Sequence, residues 1–314
     1  MTNRLSAWFN SIRGRLTETV VDRPLLNELE LHILQQHALS LHDKPFVMHK
    51  DVQHQLLGER TSSFSGSGYE FAEHRRYVSG DDMRFIDWRV MARTGKLYRK
   101  VFNEERRPQV YLLVDRRAPM RFGTHTQLKV SCAVRQAIRL LHQARQQQLL
   151  TGCVILEREA IWLRPSQSRL EGHNVIQQLN QPCPPRAFNE PGVTLNAVLS
   201  ELAVRISPGC IIYLLSDFHD LDDSSRASLY HLAQQHQLNA IQFLDPLELE
   251  LPDTNNLPLY DEQSQQLISI APTDNTLRKA FHSTALAKQQ QVQTLIEASG
   301  GRYRLIMTDG DAHG

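Results

Sequence analysis

Three aspartates, Asp81, Asp82 and Asp87, lie close together in the chain. A carboxylate cluster of this kind can hold Mg²⁺ or Mn²⁺ in a metal-dependent hydrolase. The same segment also carries seven basic residues, which are Arg75, Arg76, Arg84, Arg89, Arg93, Lys96 and Arg99. Because alternating charges favour internal pairing, we expect these carboxylates to form ion pairs. A metal-dependent enzyme that uses the three aspartates is kept as the alternative.

Two more aspartates follow predicted strands. Asp115 comes directly after 109–114, and Asp217 comes just after 210–215. The carboxyl ends of parallel strands share one edge of a sheet, where ligands usually bind. Arg117 is a forked cation that can serve two carboxylates, so we hypothesise that it pairs with Asp115 and also with Asp217. The alternative is that Arg117 points to solvent while both aspartates cap backbone amides.

Motifs for other chemistry are missing from the sequence. It contains no Gly-x-Ser-x-Gly elbow and no Gly-x-x-x-x-Gly-Lys-Ser/Thr phosphate loop. The four cysteines stand in apolar or proline-rich surroundings without an adjacent basic residue that would favour a thiolate. We therefore expect no catalytic residue, no hydrolysis of ATP by this chain and no cofactor.

Composition limits the protein class. The 314 residues are 41% hydrophobic, enough for one large domain or two smaller ones, and the formal charge of +1 argues against bulk affinity for nucleic acid. The widely spaced cysteines suit a reducing cytosol. No apolar run approaches the roughly 20 residues that span a bilayer, and residues 1–15 lack an apolar signal core. These features predict a cytoplasmic protein.

Hydrophobic periodicity predicts the elements that position these residues. Strands are expected at 109–114, 152–156, 160–163, 210–215, 240–244 and 303–307. Helices are expected at 127–148, 172–179, 193–206, 224–237 and 275–299. This alternation predicts an α/β fold, with a mostly parallel sheet covered by helices on both faces.

The remaining predictions concern domain organisation. Residues 1–57 are expected to form an N-terminal helical segment, with a helix from Pro24 to Leu39 and Asp22 as its cap. Residues 58–108 are expected to form a small β substructure, because Gly80-Asp81 and Thr94-Gly95 are turn signals between short runs able to form strands. Residues 109–314 then form the α/β domain.

One segment of this small substructure resembles a known signature. An acidic-aromatic run containing Glu70 is followed by Gly80-Asp81-Asp82-Met83-Arg84-Phe85-Ile86-Asp87-Trp88 and then by Ala92-Arg93-Thr94-Gly95. This order resembles the bacterial domain-of-unknown-function 58 (DUF 58) family. Family members resemble von Willebrand factor A (vWA) domain proteins and are often encoded beside MoxR-type AAA+ ATPases.

The resemblance implies a vWA-like, Rossmann-type fold and a comparison with the vWA metal-ion-dependent adhesion site. That site takes Asp-x-Ser-x-Ser, Thr and Asp from three loops. Here Asp115, Thr194 and Asp217 remain, but Arg117 and Pro119 replace the two serines. Since Mg²⁺ needs oxygen ligands, the resemblance implies a degenerate site without metal, with the Arg117 guanidinium in the place of the cation.

The resemblance also implies a function. We expect a non-enzymatic interaction module, an adaptor or assembly factor, whose partners are a MoxR-type AAA+ ATPase and vWA-domain proteins. Trp88 and Tyr77 are expected to be packing anchors. The alternative function is nucleic-acid binding through the basic stretch Arg89 to Lys100. The expected partner-binding residues of the signature are Glu70, Arg75, Arg76, Tyr77, Asp81, Asp82, Arg84, Asp87, Trp88, Arg89 and Arg93.

Overall fold

A computed structural model describes residues 23–40, 69–104, 109–124, 127–184, 192–255, 257–261, 266–270 and 272–310. These residues form two compact units. The small unit comprises the described residues 69–104, and the large unit comprises all the others. The predicted boundaries at 57/58 and 108/109 stay predictions, because the chain on at least one side of each lies outside the described residues.

The large unit is built on a six-stranded sheet. Its strands are β3 (Val110–Asp115), β4 (Thr151–Leu156), β5 (Ala160–Ser166), β6 (Ile211–Ser216), β7 (Gln237–Leu244) and β10 (Arg302–Met307), in the order β10-β7-β6-β3-β4-β5. All neighbours are parallel except β5, which runs antiparallel to β4. Inner strands are buried on both faces and therefore lack polar alternation. The predicted mixed α/β fold with a mostly parallel sheet is confirmed.

Helices cover both faces of this sheet. On one face lie α1 (Glu28–Ser40), α3 (Lys129–Gln146) and α4 (Arg169–Leu179). On the other lie α5 (Leu195–Arg205), α6 (Arg226–Gln235) and α8 (Asn275–Ala298). Each set contributes to its own buried apolar cluster. The sheet is thus the middle layer of three, and its strand ends are free to carry polar side chains.

Helix α1 begins later than predicted. It starts at Glu28, because Asn27 accepts the N–H of Glu30 and the carboxylate of Glu30 accepts the N–H of Asn27. This reciprocal capping fixes the first turn. Pro24 lies before the helix, and the cap predicted at Asp22 falls outside the described residues. The sequence prediction also omitted α7 (Pro246–Leu249) and a ribbon of β8 (Leu257–Asp261) and β9 (Gln266–Ile270).

The small unit is an antiparallel ribbon of β1 (Tyr69–Arg76) and β2 (Tyr98–Glu104). A 3₁₀ turn over Met83–Phe85 and helix α2 (Trp88–Thr94) connect the strands. The predicted β substructure is therefore correct for the ribbon and wrong for the connection, where helical turns replace strands. Aspartate caps explain the difference, since Asp82 and Asp87 accept the N–H groups that begin the two turns.

Candidate functional site

The carboxyl edge of the sheet places Asp115 at the end of β3. Its side chain is fully buried, and Oδ2 accepts a hydrogen bond of 2.7 Å from the hydroxyl of Ser216. Ser216 ends the neighbouring parallel strand β6, so strand pairing alone brings the two residues together. A buried carboxylate also needs a positive partner.

Arg117 supplies that partner and joins Asp115 to Asp220. Its Nε and Nη2 donate to the two oxygens of Asp115 at 3.0 and 2.7 Å, and Nη1 and Nη2 donate to those of Asp220 at 2.6 and 3.0 Å. Burial lowers the pKa of Arg117, but the adjacent charge of Asp115 and then that of Asp220 outweigh it, so the pKa is raised. The guanidinium is a fixed cation bridging two carboxylates.

Asp217 does not bind Arg117, so the predicted pairing with Asp217 is wrong. One oxygen of Asp217 accepts from the ammonium of Lys129 at 2.8 Å, and the other lies 3.2 Å from Nδ1 of His219. After β6 the chain turns at Phe218, whose φ of 55° is left-handed. This turn places Asp220, three residues beyond Asp217, against Arg117.

Lys129 extends the network to Glu248. The lysine is 1% exposed, and its ammonium lies 2.7 Å from Oε1 of Glu248. Burial would lower the pKa of Lys129, yet Asp217 and Glu248 raise it. Burial likewise would raise the pKa of Asp217, but the charge of Lys129 holds it well below its ordinary value. His219 also has a raised pKa, since Asp217 and Asp220 outweigh its burial.

Thr194 and Pro119 contribute no oxygen to this network. Thr194 caps α5, and its hydroxyl accepts the N–H of Ala197 at 3.3 Å. Pro119 is buried in a 3₁₀ turn over Ala118–Arg121. Among the described residues no group of three or more His, Cys, Asp or Glu side chains could hold a metal ion. With Arg117 donating to Asp115 and Asp220, these residues do not fit a divalent cation.

Thiol chemistry is also disfavoured at the four cysteines. All four are buried and free. Burial raises the pKa of Cys132 to about 11 and those of Cys153 and Cys210 to about 12, and it also raises the pKa of Cys183. Each is therefore protonated near neutral pH and is a poor nucleophile.

The small unit pairs the signature aspartates with local cations, as expected. Asp81 accepts from Arg75 at 2.6 Å and from Arg99 at 3.0 Å, and Asp82 accepts from Arg84 at 2.7 Å. The hydrogen bond from Arg84 lowers the pKa of Asp82 to about 2. The side chains of Arg75 and Arg84 are exposed, and those of Asp81, Asp82 and Arg99 are half-buried.

Asp87 contacts both the ribbon and helix α2 of the small unit. Its Oδ2 lies 2.9 Å from Nε2 of His74 and 3.6 Å from the ammonium of Lys100, while its Oδ1 caps α2. The hydrogen bond with His74 is the main cause that lowers the pKa of Asp87 to about 2. Asp87 thus fixes both the ribbon and the helix.

The other signature residues are not gathered at one site. Arg76, Arg89 and Arg93 are exposed, and no ion pair is made by these three within the described part of the chain. Trp88 is 58% exposed, so its expected role as a packing anchor is wrong: α2 has no buried residue. Tyr77 is half-buried and donates its N–H to Leu97. Glu70 lies in β1, with its side chain outside the described residues.

Sequence reasoning missed Ser216, Asp220, His219, Lys129 and Glu248. Lys129 carried a usable signal, because it stands in the first turn of a helix, on the same side as the buried Ala133 four residues later. A cation there opposes the helix dipole, so a buried acidic partner is required. Asp220 carried a weaker signal, as a carboxylate in the loop that follows β6, three residues beyond Asp217. Glu248 lies in α7, the short helix that follows β7 and that the sequence did not predict.

Comparison with known proteins identifies the family. The family model described as "Protein of unknown function DUF58" matches residues 73–291, so this chain belongs to the DUF58 family. The chain is 29% identical over 261 residues to the uncharacterized proteins Mb1516 of Mycobacterium bovis and Rv1480 of Mycobacterium tuberculosis. The alignments cover 82% of this chain and 80% of each relative.

Two solved structures are also similar. One is the conserved hypothetical protein BatB from Bacteroides thetaiotaomicron, with 13% identity, a TM-score of 0.44 and coverage of 66% of this chain and 93% of that one. The other is an aerotolerance-related membrane protein from Bacteroides fragilis, with 13% identity, a TM-score of 0.40 and coverage of 63% and 91%. In the described part of this chain no helix is both long and apolar enough to cross a bilayer.

Proposed function

We propose that this protein is a non-enzymatic interaction module, an adaptor or assembly factor that works with a MoxR-type AAA+ ATPase. In this proposal the large unit is a vWA-like domain with a degenerate metal site. The Arg117 guanidinium stands in the place of the cation, between Asp115 and Asp220. This arrangement is the observation that carries the proposal. The fixed charge of Arg117 occupies the edge of the sheet at the carboxyl ends of the strands, where α/β folds usually bind ligands.

The chemistry of the edge supports a binding role over catalysis. Arginine is neither an acid nor a base near neutral pH, and it donates hydrogen bonds only. Asp115 and Asp220 are both engaged by it, and Asp217 is engaged by Lys129. A network of this kind can hold the strand ends rigid while loops around it contact a protein. We extend the proposal to vWA-domain proteins as further partners and to a cytoplasmic location.

The test is a binding measurement between the purified full-length chain and the MoxR-type ATPase of the same host, with ATP, with ADP and without nucleotide. We expect saturable binding in at least one nucleotide state and no nucleotide hydrolysis by the chain alone. The Walker-lysine variant of the ATPase is the control for nucleotide dependence. Failure to bind in every state would contradict the proposed partnership.

A further inference from the structure

Helix α2 of the small unit presents large apolar side chains to solvent. Trp88 is 58% exposed and Met91 is 37% exposed, and no residue of the helix is buried. Residues three apart on a helix lie on the same face, so these two side chains are neighbours. Solvated tryptophan is uncommon, because burying an aromatic side chain is favourable. The face is therefore available to a partner.

Helix α2 is capped at both ends, and its solvent-facing side chains take no part in this capping. A seven-residue helix is unstable by itself in water. Here Asp87 accepts the N–H groups of Arg89 and Val90, and Gly95 ends the helix with a left-handed φ of 68°. Thr94 adds a 2.7 Å hydrogen bond to the carbonyl of Val90. This capping keeps a rigid helix whose side chains are free for contacts elsewhere.

Two arginines lie on one side of Trp88 around the helix, and Met91 lies on the other. Arg89 and Arg93 are four residues apart, so they share a ridge of α2. Both are exposed, and neither forms an ion pair with the described side chains of residues 74–100. The signature aspartates are already engaged, Asp81 and Asp82 by arginines and Asp87 by His74 and Lys100. Among these described side chains the charges of Arg89 and Arg93 are unpaired, and they lie on the same helix as Trp88.

We propose that the α2 face, defined as Trp88, Arg89, Met91 and Arg93, docks a partner protein that presents carboxylates beside an apolar cleft. Tryptophan, methionine and arginine are the residue types enriched in interface cores. Trp88 fills the cleft, Met91 widens the apolar contact, and the two guanidinium groups pair with the carboxylates. This inference rests on the proposed function for the identity of the partner, and it adds the surface and its chemistry.

A protein partner is favoured over nucleic acid by the apolar part of the surface. Leu97 and Met83, in the same unit, are 38% and 61% exposed. Aliphatic and thioether surface gains little from phosphate or sugar contacts, which dominate nucleic-acid affinity. Nucleic acid is therefore an outcome that the experiment must distinguish.

The experiment uses the full-length chain and the MoxR-type ATPase as the probe. Arg89→Glu/Arg93→Glu and Trp88→Ala are each expected to weaken binding by about tenfold or more. The matched control is Lys279→Glu/Lys288→Glu, the same charge change on exposed residues of α8, which is expected to stay within about twofold. Lysine variants at exposed acids of the ATPase are then screened for one that restores binding to Arg89→Glu/Arg93→Glu.

The outcomes separate this inference from the proposed function. If the ATPase binds the wild type and Arg89→Glu/Arg93→Glu equally well, the partnership stands and the α2 face is overturned. If it binds neither, the partnership fails, and the face is tested with a helical Glu/Leu peptide against its Lys/Leu counterpart. In that case the inference requires that the Glu/Leu peptide binds, that the Lys/Leu peptide does not, and that Trp88→Ala weakens the binding. Preference for a single-stranded RNA, with steep loss of affinity in salt, would overturn it.

Discussion

The ammonium group of Lys129 lies 2.8 Å from a carboxylate oxygen of Asp217, and both side chains are almost completely buried. A buried ion pair adds little stability compared with a well-packed apolar pair, because both ions lose their hydration. Removing one member is different, since the other charge is left buried alone. The pair therefore makes the strand edge intolerant of single substitutions.

Lys129→Met is expected to lower the free energy of unfolding by about 3–5 kcal/mol, since it removes the buried ammonium group that pairs with Asp217 and Glu248. Urea unfolding of the full-length chain measures this. Lys288→Met, on the exposed side of α8, is the control and is expected to change stability by no more than about 0.5 kcal/mol. Lys129→Met/Asp217→Asn should recover part of the loss. Equal stability of Lys129→Met and the wild type would show that the pair is not buried in solution.

Arg117→Ser/Pro119→Ser places hydroxyl groups at the two positions where the vWA site has serines. We expect this variant to gain stability from Mn²⁺ or Mg²⁺, because Asp115 then loses its cationic partner. The gain is about 1.4 kcal/mol at ten times the dissociation constant. The wild type, with Arg117 present, is expected to show no shift in Tm.

The control for this metal effect is Arg226→Ser, which removes an exposed arginine paired with Asp223. It should respond to the metal as the wild type does. A metal-dependent rise of Tm in the wild type would contradict the degenerate site, and density for a divalent ion beside Asp115 would end that proposal.

The contribution of His219 to stability is expected to depend on pH. Its pKa is raised in the folded protein, since Asp217 and Asp220 outweigh the burial of the ring. A raised pKa gives stabilisation that is complete below the unfolded value of about 6.5 and is lost as pH rises through the folded value. His219→Asn should therefore cost more free energy of unfolding at pH 6 than at pH 9.

His173→Asn is the matched control for His219, because its exposed ring contacts Gln177 and no carboxylate in the described part of the chain. The excess cost of His219→Asn over His173→Asn should be larger at pH 6 than at pH 9. A cost of His219→Asn that is independent of pH would show that the ring does not gain a proton on folding.

Two substitutions of Asp87 are expected to separate its role as the N-cap of α2 from the contribution of its charge. Asp87→Asn keeps a side-chain oxygen for the N–H groups of Arg89 and Val90, and asparagine is a good N-cap. Asp87→Ala removes it. Amide hydrogen exchange should therefore show faster exchange at these two positions in Asp87→Ala and near-native protection in Asp87→Asn. Equal protection in both variants would show that the cap does not hold α2.

The order of elements in the large unit could be predicted because each inner strand is a short apolar run and each helix has a periodic face. Val110–Asp115 and Ile211–Ser216 are examples, and the boundaries differ from the prediction by one residue. The start of α1 could not be placed from Pro24, since the reciprocal cap of Asn27 and Glu30 depends on side-chain conformation. Helix α2 was missed because its stability comes from its two caps.

The candidate site was predictable in part. Sequence indicated that Asp115 ends an inner strand and that Arg117, two residues later, is a suitable partner. It could not choose between Asp217 and Asp220, because that choice depends on the left-handed turn at Phe218. It also could not place Lys129, which comes from a helix and joins the strand edge only in three dimensions.

The strand-edge network joins residues that are far apart in the chain, from Asp115 and Lys129 to Asp217 and Glu248. The contact of Lys129 with Glu248 can close only after β7 has joined the sheet, so it is expected late on the folding pathway. Interactions that are absent from the transition state control the rate of unfolding, while the rate of folding depends little on them. This part of the network should therefore slow unfolding and prolong the lifetime of the native state.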